Sequence, residues 1–405
     1  MTLIKLLSTN IAVPEGMVFT LQRRNMSWLQ SPRRVRQAIF PVLLFTIVAL
    51  IIVRTKNPLR SNAIFNVETS VKLDLNQILS QELLQLLKQD VPPVEDVGES
   101  IMDDWFEKEE EFCDSVKSNK SSPFSRPECL AACVNRGSLL SAPQNQRRNL
   151  IVIPYRDRRT HLEQVLPRIQ QLLTKQNICY LIVIAEQFGA APFNKGKIMN
   201  AAFVQSLNWF PFHCVTFHDV DLIPLSDEVP YSCSQFPRHT SVQINKFNNR
   251  LPYVKLIGGI LTIPVKLFLR VNGFSNLYWG WGAEDDDMYE RLMANKIPVT
   301  RSDPTVSKFR MLPHNPSPAS SADFRSRILA FSKARHRLDG LNSLNFSIIQ
   351  SSFVKQLRNK TLTMWPETDG YNKGMTRVHH IQIDLGDAPS WLKSNAYSAD
   401  YHTTV

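Results

Sequence analysis

Apolar residues fall into three kinds of run along this chain of 405 residues. One kind is unbroken. Residues 38–53 are sixteen consecutive uncharged, almost wholly apolar positions, about 24 Å of helix at 1.5 Å per residue, a length suited to a thin bilayer. A second kind is short and bounded by polar residues: the runs at 150–153, 179–185 and 214–217 predict buried strands, the first of them cut by Pro154. The third is periodic. Leu162, Val165, Leu166, Ile169, Leu172 and Leu173 recur at helical spacing, and a further helix is predicted from about 195 to 207. Strand, helix, strand, helix, strand predicts parallel pairing with right-handed crossovers, in which ligands gather at the carboxyl ends of the strands. Residues 256–264 predict another strand, entered through Gly258 and Gly259.

The run at 38–53 reads as an uncleaved anchor rather than a signal peptide, because 37 residues precede it and no small-residue cleavage site follows cleanly. Arg23, Arg24, Arg33, Arg34 and Arg36 lie before it, against Arg54, Lys56 and Arg60 after it, which places the N-terminus in the cytosol. The chain then divides into a cytoplasmic tail (1–37), a transmembrane anchor (38–53), a lumenal stem (54–147), a catalytic domain (148–390) and a C-terminal tail (391–405). In the stem, Ile78, Leu79, Leu83, Leu84, Leu86 and Leu87 give an amphipathic helix that either dimerises the stem or packs on the main domain. Residues 118–126 are polar and loop-like.

Net charge is +11, but the basic residues are dispersed and no nucleic-acid motif is present, so a nucleic-acid partner is excluded. Six cysteines, at 113, 129, 133, 179, 214 and 233, suit an oxidising compartment and have no zinc spacing. Asn119, Asn345 and Asn359 open glycosylation sequons on the expected lumenal side.

Candidate chemistry centres on residues 278–287, Tyr-Trp-Gly-Trp-Gly-Ala-Glu-Asp-Asp-Asp. Glycines alternating with large indoles suit neither a core strand nor a helix and predict a loop. Four successive carboxylates, Glu284 to Asp287, repel one another unless chemistry uses them or they form the first turn of a helix, for which Met288, Leu292 and Met293 have the spacing. Arg156 and Arg158 at one strand end and Asp219 and Asp221 at another would face a single crevice, the arrangement for a nucleotide diphosphate with Mn²⁺ or Mg²⁺. His314 offers an imidazole; Met311, a soft thioether, reads by default as core.

Taken together and in order, Pro-Tyr-Arg-Asp-Arg at 154–158, Phe-Asn-Lys at 193–195, Asp-Val-Asp at 219–221, Gly258-Gly259, the 279–287 segment, Met-x-x-His at 311–314 and Asp-Gly-Leu-Asn-Ser-Leu at 339–344 resemble the β-1,4-galactosyltransferases. The resemblance covers roughly 149–390. It implies a type II Golgi membrane protein with an inverting GT-A fold (α/β, Rossmann-like, mostly parallel sheet), a UDP-sugar donor, Mn²⁺ and a terminal N-acetylglucosamine acceptor. By the same resemblance Asp221, Met311 and His314 would hold Mn²⁺. The UDP-sugar would lie against Pro154, Tyr155, Arg156, Arg158, Phe193, Asn194, Lys195, Val220, Asp221, Leu256 and Trp281. Asp285 would be the catalytic base, with Ala283, Glu284, Asp286 and Phe324 at the acceptor.

The resemblance also implies mobile loops at 278–283 and about 311–330, and a Cys214–Cys233 disulfide. Pairing among Cys113, Cys129 and Cys133 stays open, and Cys179 reads as a free core thiol. Ala283 stands where many members have glycine, a change that a negative φ would tolerate. Leu256 stands where galactose-specific members carry tyrosine, so UDP-GalNAc is expected as a donor alongside UDP-Gal. Two other readings are a strict UDP-Gal enzyme, including the proteoglycan-linker type with a xylose acceptor, and a silent scaffold that binds glycans or partner enzymes. The acidic run and the Met-x-x-His motif argue against the xylose acceptor, and the intact Asp221, Asp285 and His314 against the scaffold.

Overall fold

A computed structural model describes residues 91–134, 146–315, 319–354, 364–366 and 377–389, all within the compact unit Asn76–Val405. The expected anchor, the helix at 78–87, Asn359 and the tail at 391–405 lie outside the described residues. No helix among those described is long and apolar enough to cross a membrane.

The elements run α1 (Val94–Ser118), α2 (Pro127–Val134), β1 (Asn149–Tyr155), α3 (Arg159–Lys175), β2 (Tyr180–Gln187), α4 (Lys195–Ser206), β3 (Cys214–His218), β4 (Leu222–Pro224), β5 (Arg238–His239), β6 (Gln243–Ile244) and β7 (Ile260–Pro264). They continue with α5 (Val265–Arg270), α6 (Glu284–Ala294), β8 (Thr300–Arg301), β9 (Lys308–Met311), α7 (Ala322–Ala330), α8 (Ser332–Arg335), β10 (Ser347–Val354), β11 (Met364–Pro366) and β12 (Val378–Asp384). A nine-stranded sheet has the order β11-β10-β12-β2-β1-β3-β7-β5-β8, and a three-stranded sheet the order β4-β9-β6.

The centre of the large sheet, β12-β2-β1-β3, is parallel as expected. Its flanks are not, since β7 runs antiparallel to β3 and β10 antiparallel to β12, so the sheet is a mixed one rather than mostly parallel. Strands β1 and β2 carry buried runs of Val, Ile and Leu, and α3 covers them with the predicted apolar face. Pro154 does not cut β1. Pairing with β3 ends at Val152↔Phe217, so Pro154 lies past the end of that ladder, where a missing N–H leaves no bond unmade on that side. Residues 256–259, expected to begin a strand, form a loop, and β7 starts at Ile260.

Within the range expected as stem, α1 and α2 pack onto the domain. Helix α1 buries Ile101, Trp105, Cys113 and Val116, and the Trp105 indole donates to the Phe212 carbonyl at 2.7 Å. Arg148, wholly buried, pairs with Glu109 at 2.6 Å beneath the rings of Trp105 and Phe112. Three disulfides form. Cys214–Cys233 is the expected one, Cys113 joins Cys133, and Cys129 joins Cys179, so Cys179 is not a free thiol. It closes a bond between α2 and the entry to β2. Of the sequon asparagines, Asn345 is exposed, while Asn119 is half-buried and accepts from the Ser121 N–H at 3.0 Å.

Candidate active site

The carboxyl ends of the parallel strands β1 and β3 deliver the first half of the site. Pro154 is buried in β1, Tyr155 and Val220 are half-buried, and Arg156 follows them with its guanidinium 5.3 Å from the Phe193 ring centroid and donating to the Ala191 carbonyl at 2.6 Å. Pairing of β4 with β9 sets Leu222 opposite Met311, and the Leu312 N–H donates to the Asp221 carbonyl at 2.7 Å. This places the His314 Nε2 3.0 Å from the Asp221 Oδ2. Arg158 Nη2 lies 3.3 Å from His314 Nδ1 and donates to the Asn315 carbonyl at 3.2 Å.

His314 Nδ1 is also 2.8 Å from the Asn315 carbonyl. An Nδ1–H donated there leaves the Nε2 lone pair facing a carboxylate, and two acceptors at that distance need a proton or a cation between them. Burial pushes the Asp221 carboxyl up, but its hydrogen bond to His314 and the nearby positive charges outweigh this and hold it below its usual range; the same bond raises His314. Among the described residues no three His, Cys, Asp or Glu side chains converge on one point. The set that fits a divalent ion is therefore Asp221 and His314; Met311, opposite Leu222, is half-buried against the apolar core.

The second half is the head of α6. Gly280, Gly282 and Ala283 take φ values of 88°, 100° and 75°, so Ala283 does not have the negative φ that would tolerate it and carries left-handed strain. All four carboxylates occupy the first turn, where the helix dipole favours them, but they divide by environment. Asp287 belongs to the core. It accepts from Arg291 at 2.5 Å, from Arg335, and from the Tyr278 hydroxyl at 2.9 Å, and Arg291 and Arg335 also pair with the buried Asp339.

Glu284 pairs with Lys195 at 3.2 Å, and the same ammonium reaches Asp219 at 2.7 Å. Burial raises the Asp286 carboxyl, and the nearby Tyr253 hydroxyl acts against this. Asp285 lies against Gly258 and Gly259 in a small cavity shared with Lys195, Asp219 and Glu284. Burial, then the charges of Glu284 and Asp286, push its carboxyl up to about 7.

Three expected contacts are wholly or partly buried. Asn194 is wholly buried and caps α4, accepting from the Lys197 N–H at 2.9 Å and donating to the Asn276 carbonyl at 2.8 Å, so its polar atoms are already satisfied. Phe324 is buried in α7. Leu256 is half-buried, with its carbonyl accepting from Arg301 at 2.7 Å, and the cavity beside Asp285 is lined by its neighbours Ile257 to Gly259 rather than by Leu256. Trp281 is 54% exposed, with the Arg325 guanidinium 5.9 Å from its ring.

Tyr253 and Arg335 were not singled out in the sequence, and Asp219 and Lys195 were each read into the site but not as a pair; the spacing of Asp287 and Arg291, one helical turn apart, is a signal that could have shown an ion pair. A larger cavity of about 670 Å³ lies between α1 and α5, away from this chemistry.

A model of the N-terminal region of glycosyl transferase group 7 matches residues 122–234, and one described as the N-terminal domain of galactosyltransferase matches 238–315. β-1,4-Galactosyltransferase 5 of Mus musculus is 36% identical over 217 residues, 54% of this chain and 56% of that protein. β-1,4-Galactosyltransferase 1 of Bos taurus is 38% identical over 201 residues, 49% of this chain and 50% of that one. Over its central half the chain is similar to the β-1,4-galactosyltransferases. It spans about half the length of the curated relatives it matches. Among solved structures, the catalytic domain of Drosophila β-1,4-galactosyltransferase 7 complexed with xylobiose has a TM-score of 0.47 at 23% identity, covering 59% of this chain and 94% of that one.

Proposed function

We propose that this chain is an inverting β-1,4-glycosyltransferase that moves galactose or N-acetylgalactosamine from a UDP-sugar to the 4-hydroxyl of a terminal N-acetylglucosamine. The observation that carries the reading is Asp285. It is a carboxylate pushed up to about 7 by burial and by two neighbouring acids, in a small cavity shared with Lys195 and Asp219, and Asp219 stands two residues before Asp221, the partner of His314. A base poised near the working pH is what proton abstraction from a sugar hydroxyl requires. One base suffices for inversion, since the hydroxyl attacks opposite the departing UDP.

Asp221, His314 and Met311 would hold Mn²⁺, which when bound stabilises charge on the diphosphate. Arg156 and Arg158 hold the same phosphates by charge-assisted hydrogen bonds, and Asp285 takes the acceptor proton. Leu256 in place of a tyrosine supports a donor site open to the 2-acetamido group. The apolar span at 38–53, with the basic residues before it, supports a type II Golgi membrane protein whose catalytic unit is lumenal.

The test is turnover by the detergent-solubilised full chain with Mn²⁺, UDP-Gal or UDP-GalNAc, and N-acetylglucosaminide or xyloside acceptors. A β-1,4-linked product on N-acetylglucosamine is expected. No product from any of these pairs would overturn the reading.

A further inference from the structure

Lys195 is placed where helix electrostatics disfavour it. It opens α4, whose first turn holds Lys195 and Lys197 and no acid, and a cation at a helix N-terminus opposes the macrodipole. The packing around it is close. A Cβ on Gly196 would lie 2.5 Å from the Ser275 carbonyl, so glycine lets the head of α4 lie against the loop before α6, and the Glu284 Cβ is at ordinary contact distance, 3.7 Å, from the same point. The Lys195 ammonium then bridges Asp219 at 2.7 Å and Glu284 at 3.2 Å, with its side chain only 23% exposed.

We propose that Lys195 is the positioning cation of this site: one ammonium ties Asp219 at the end of β3 to Glu284 at the head of α6, and its charge keeps the adjacent Asp285 able to ionise at neutral pH. The proposal rests on the reading of Asp285 as the base. The charged and titratable groups facing Asp285 are Glu284 and Asp286 from α6, Tyr253 from the loop before β7, Asp219 from the end of β3, and Lys195 from α4. Lys195 is the only cation in that set. Glu284 and Asp286 raise the cost of ionising Asp285, so removing Lys195 leaves these acids uncompensated. Asp219 and Glu284 would also lose the tie that holds the two helix heads in register.

The experiment is the pH profile of kcat/KM for the full chain and for Lys195→Met and Lys195→Arg, with Mn²⁺, UDP-Gal and an N-acetylglucosaminide. Lys195→Met should move the acid limb upward by about one pH unit or more, and Lys195→Arg should return it close to that of the wild type. A limb that stays in place in Lys195→Met, however far the plateau falls, overturns the proposal. Where Lys195→Met turns over too slowly to profile, a thermal-unfolding cycle with Asp285→Asn replaces it. At about pH 8.5 the asparagine should raise Tm more in the Lys195→Met background than in the wild type, and equal gains overturn the proposal. The cycle needs no sugar transfer, so a chain without transferase activity would sink the functional reading while the Lys195–Asp285 coupling is still measured.

Discussion

A Cβ built on Gly258 would lie 2.3 Å from the Asp285 Oδ2. The carboxylate occupies the volume that any other residue at 258 would fill, and Gly258 is not in the left-handed region, so space rather than backbone conformation selects glycine here. Gly258→Ala should displace Asp285 by a fraction of an ångström to an ångström, and a misplacement of that order costs roughly 10²-fold in rate. The check is kcat alongside Tm. A fall in kcat with Tm nearly unchanged is expected, whereas full activity would show that Asp285 does not need this position.

Asp285 should trade stability for activity. Its folded-state pKa of about 7 lies above the ordinary 3.8, so the folded chain holds this proton more tightly than the unfolded chain. That contribution is fully present below 3.8 and is lost as the pH rises through 7. Asp285→Asn should therefore gain stability over the wild type progressively across this window, reaching roughly 2 kcal/mol at pH 8 once partial solvent screening is allowed for. The same variant should lose about 10²- to 10⁴-fold in kcat. Thermal melts from pH 4 to 8 that show a constant difference would contradict the assignment.

His314 projects from a loop, outside any regular element, and is partly exposed. His314→Ala should raise the Mn²⁺ concentration for half-activation by about 10- to 100-fold and leave Tm in chelator within a few degrees. An unchanged Mn²⁺ requirement would remove His314 from the ligand set.

The proposed choice of donor turns on Leu256. Leu256→Tyr should shift the kcat/KM ratio toward UDP-Gal by about 10-fold or more, the scale of one added steric or polar contact to a substrate. The loop backbone, held at 254 and 256 by Arg301, should stay in place. A ratio that does not move would show that the side chain at 256 is turned away from the sugar.

Ala283→Gly should stabilise the chain by about 1 kcal/mol, because at φ 75° the methyl group costs more than glycine's extra freedom in the unfolded chain. Urea unfolding midpoints decide it; a destabilised glycine variant would mean that the methyl packs favourably enough to outweigh the strain.

What the sequence made legible follows from how local each signal is. The runs that became β1, β2 and β3 are continuous and apolar because both faces are covered, and α3 shows its buried face directly in the spacing of Leu162 to Leu173. The site motifs could be read because each sits at a strand end or a helix head. Helix α1 was missed because a dense run of acids on its exposed face masks a sparse apolar stripe. Cys179 was misassigned because its partner is 50 residues away on a helix, a proximity that no spacing encodes. The φ of Ala283 is likewise set by the two glycines before it and by the start of α6, and the alanine itself gives no hint of it.

Asp287 fastens both ends of the 278–283 segment. Its carboxylate takes the Tyr278 hydroxyl, and its N–H donates to the Ala283 carbonyl at 2.9 Å. The segment is thus a handle riveted at two points to one buried residue, itself locked by Arg291 and Arg335. Trp281 can swing only about the chord between those rivets, and the swing must release the bond from the Gly280 N–H to the Phe193 carbonyl. Phe193 lies under Arg156, so the catch on the handle is on the wall where the nucleotide would bind.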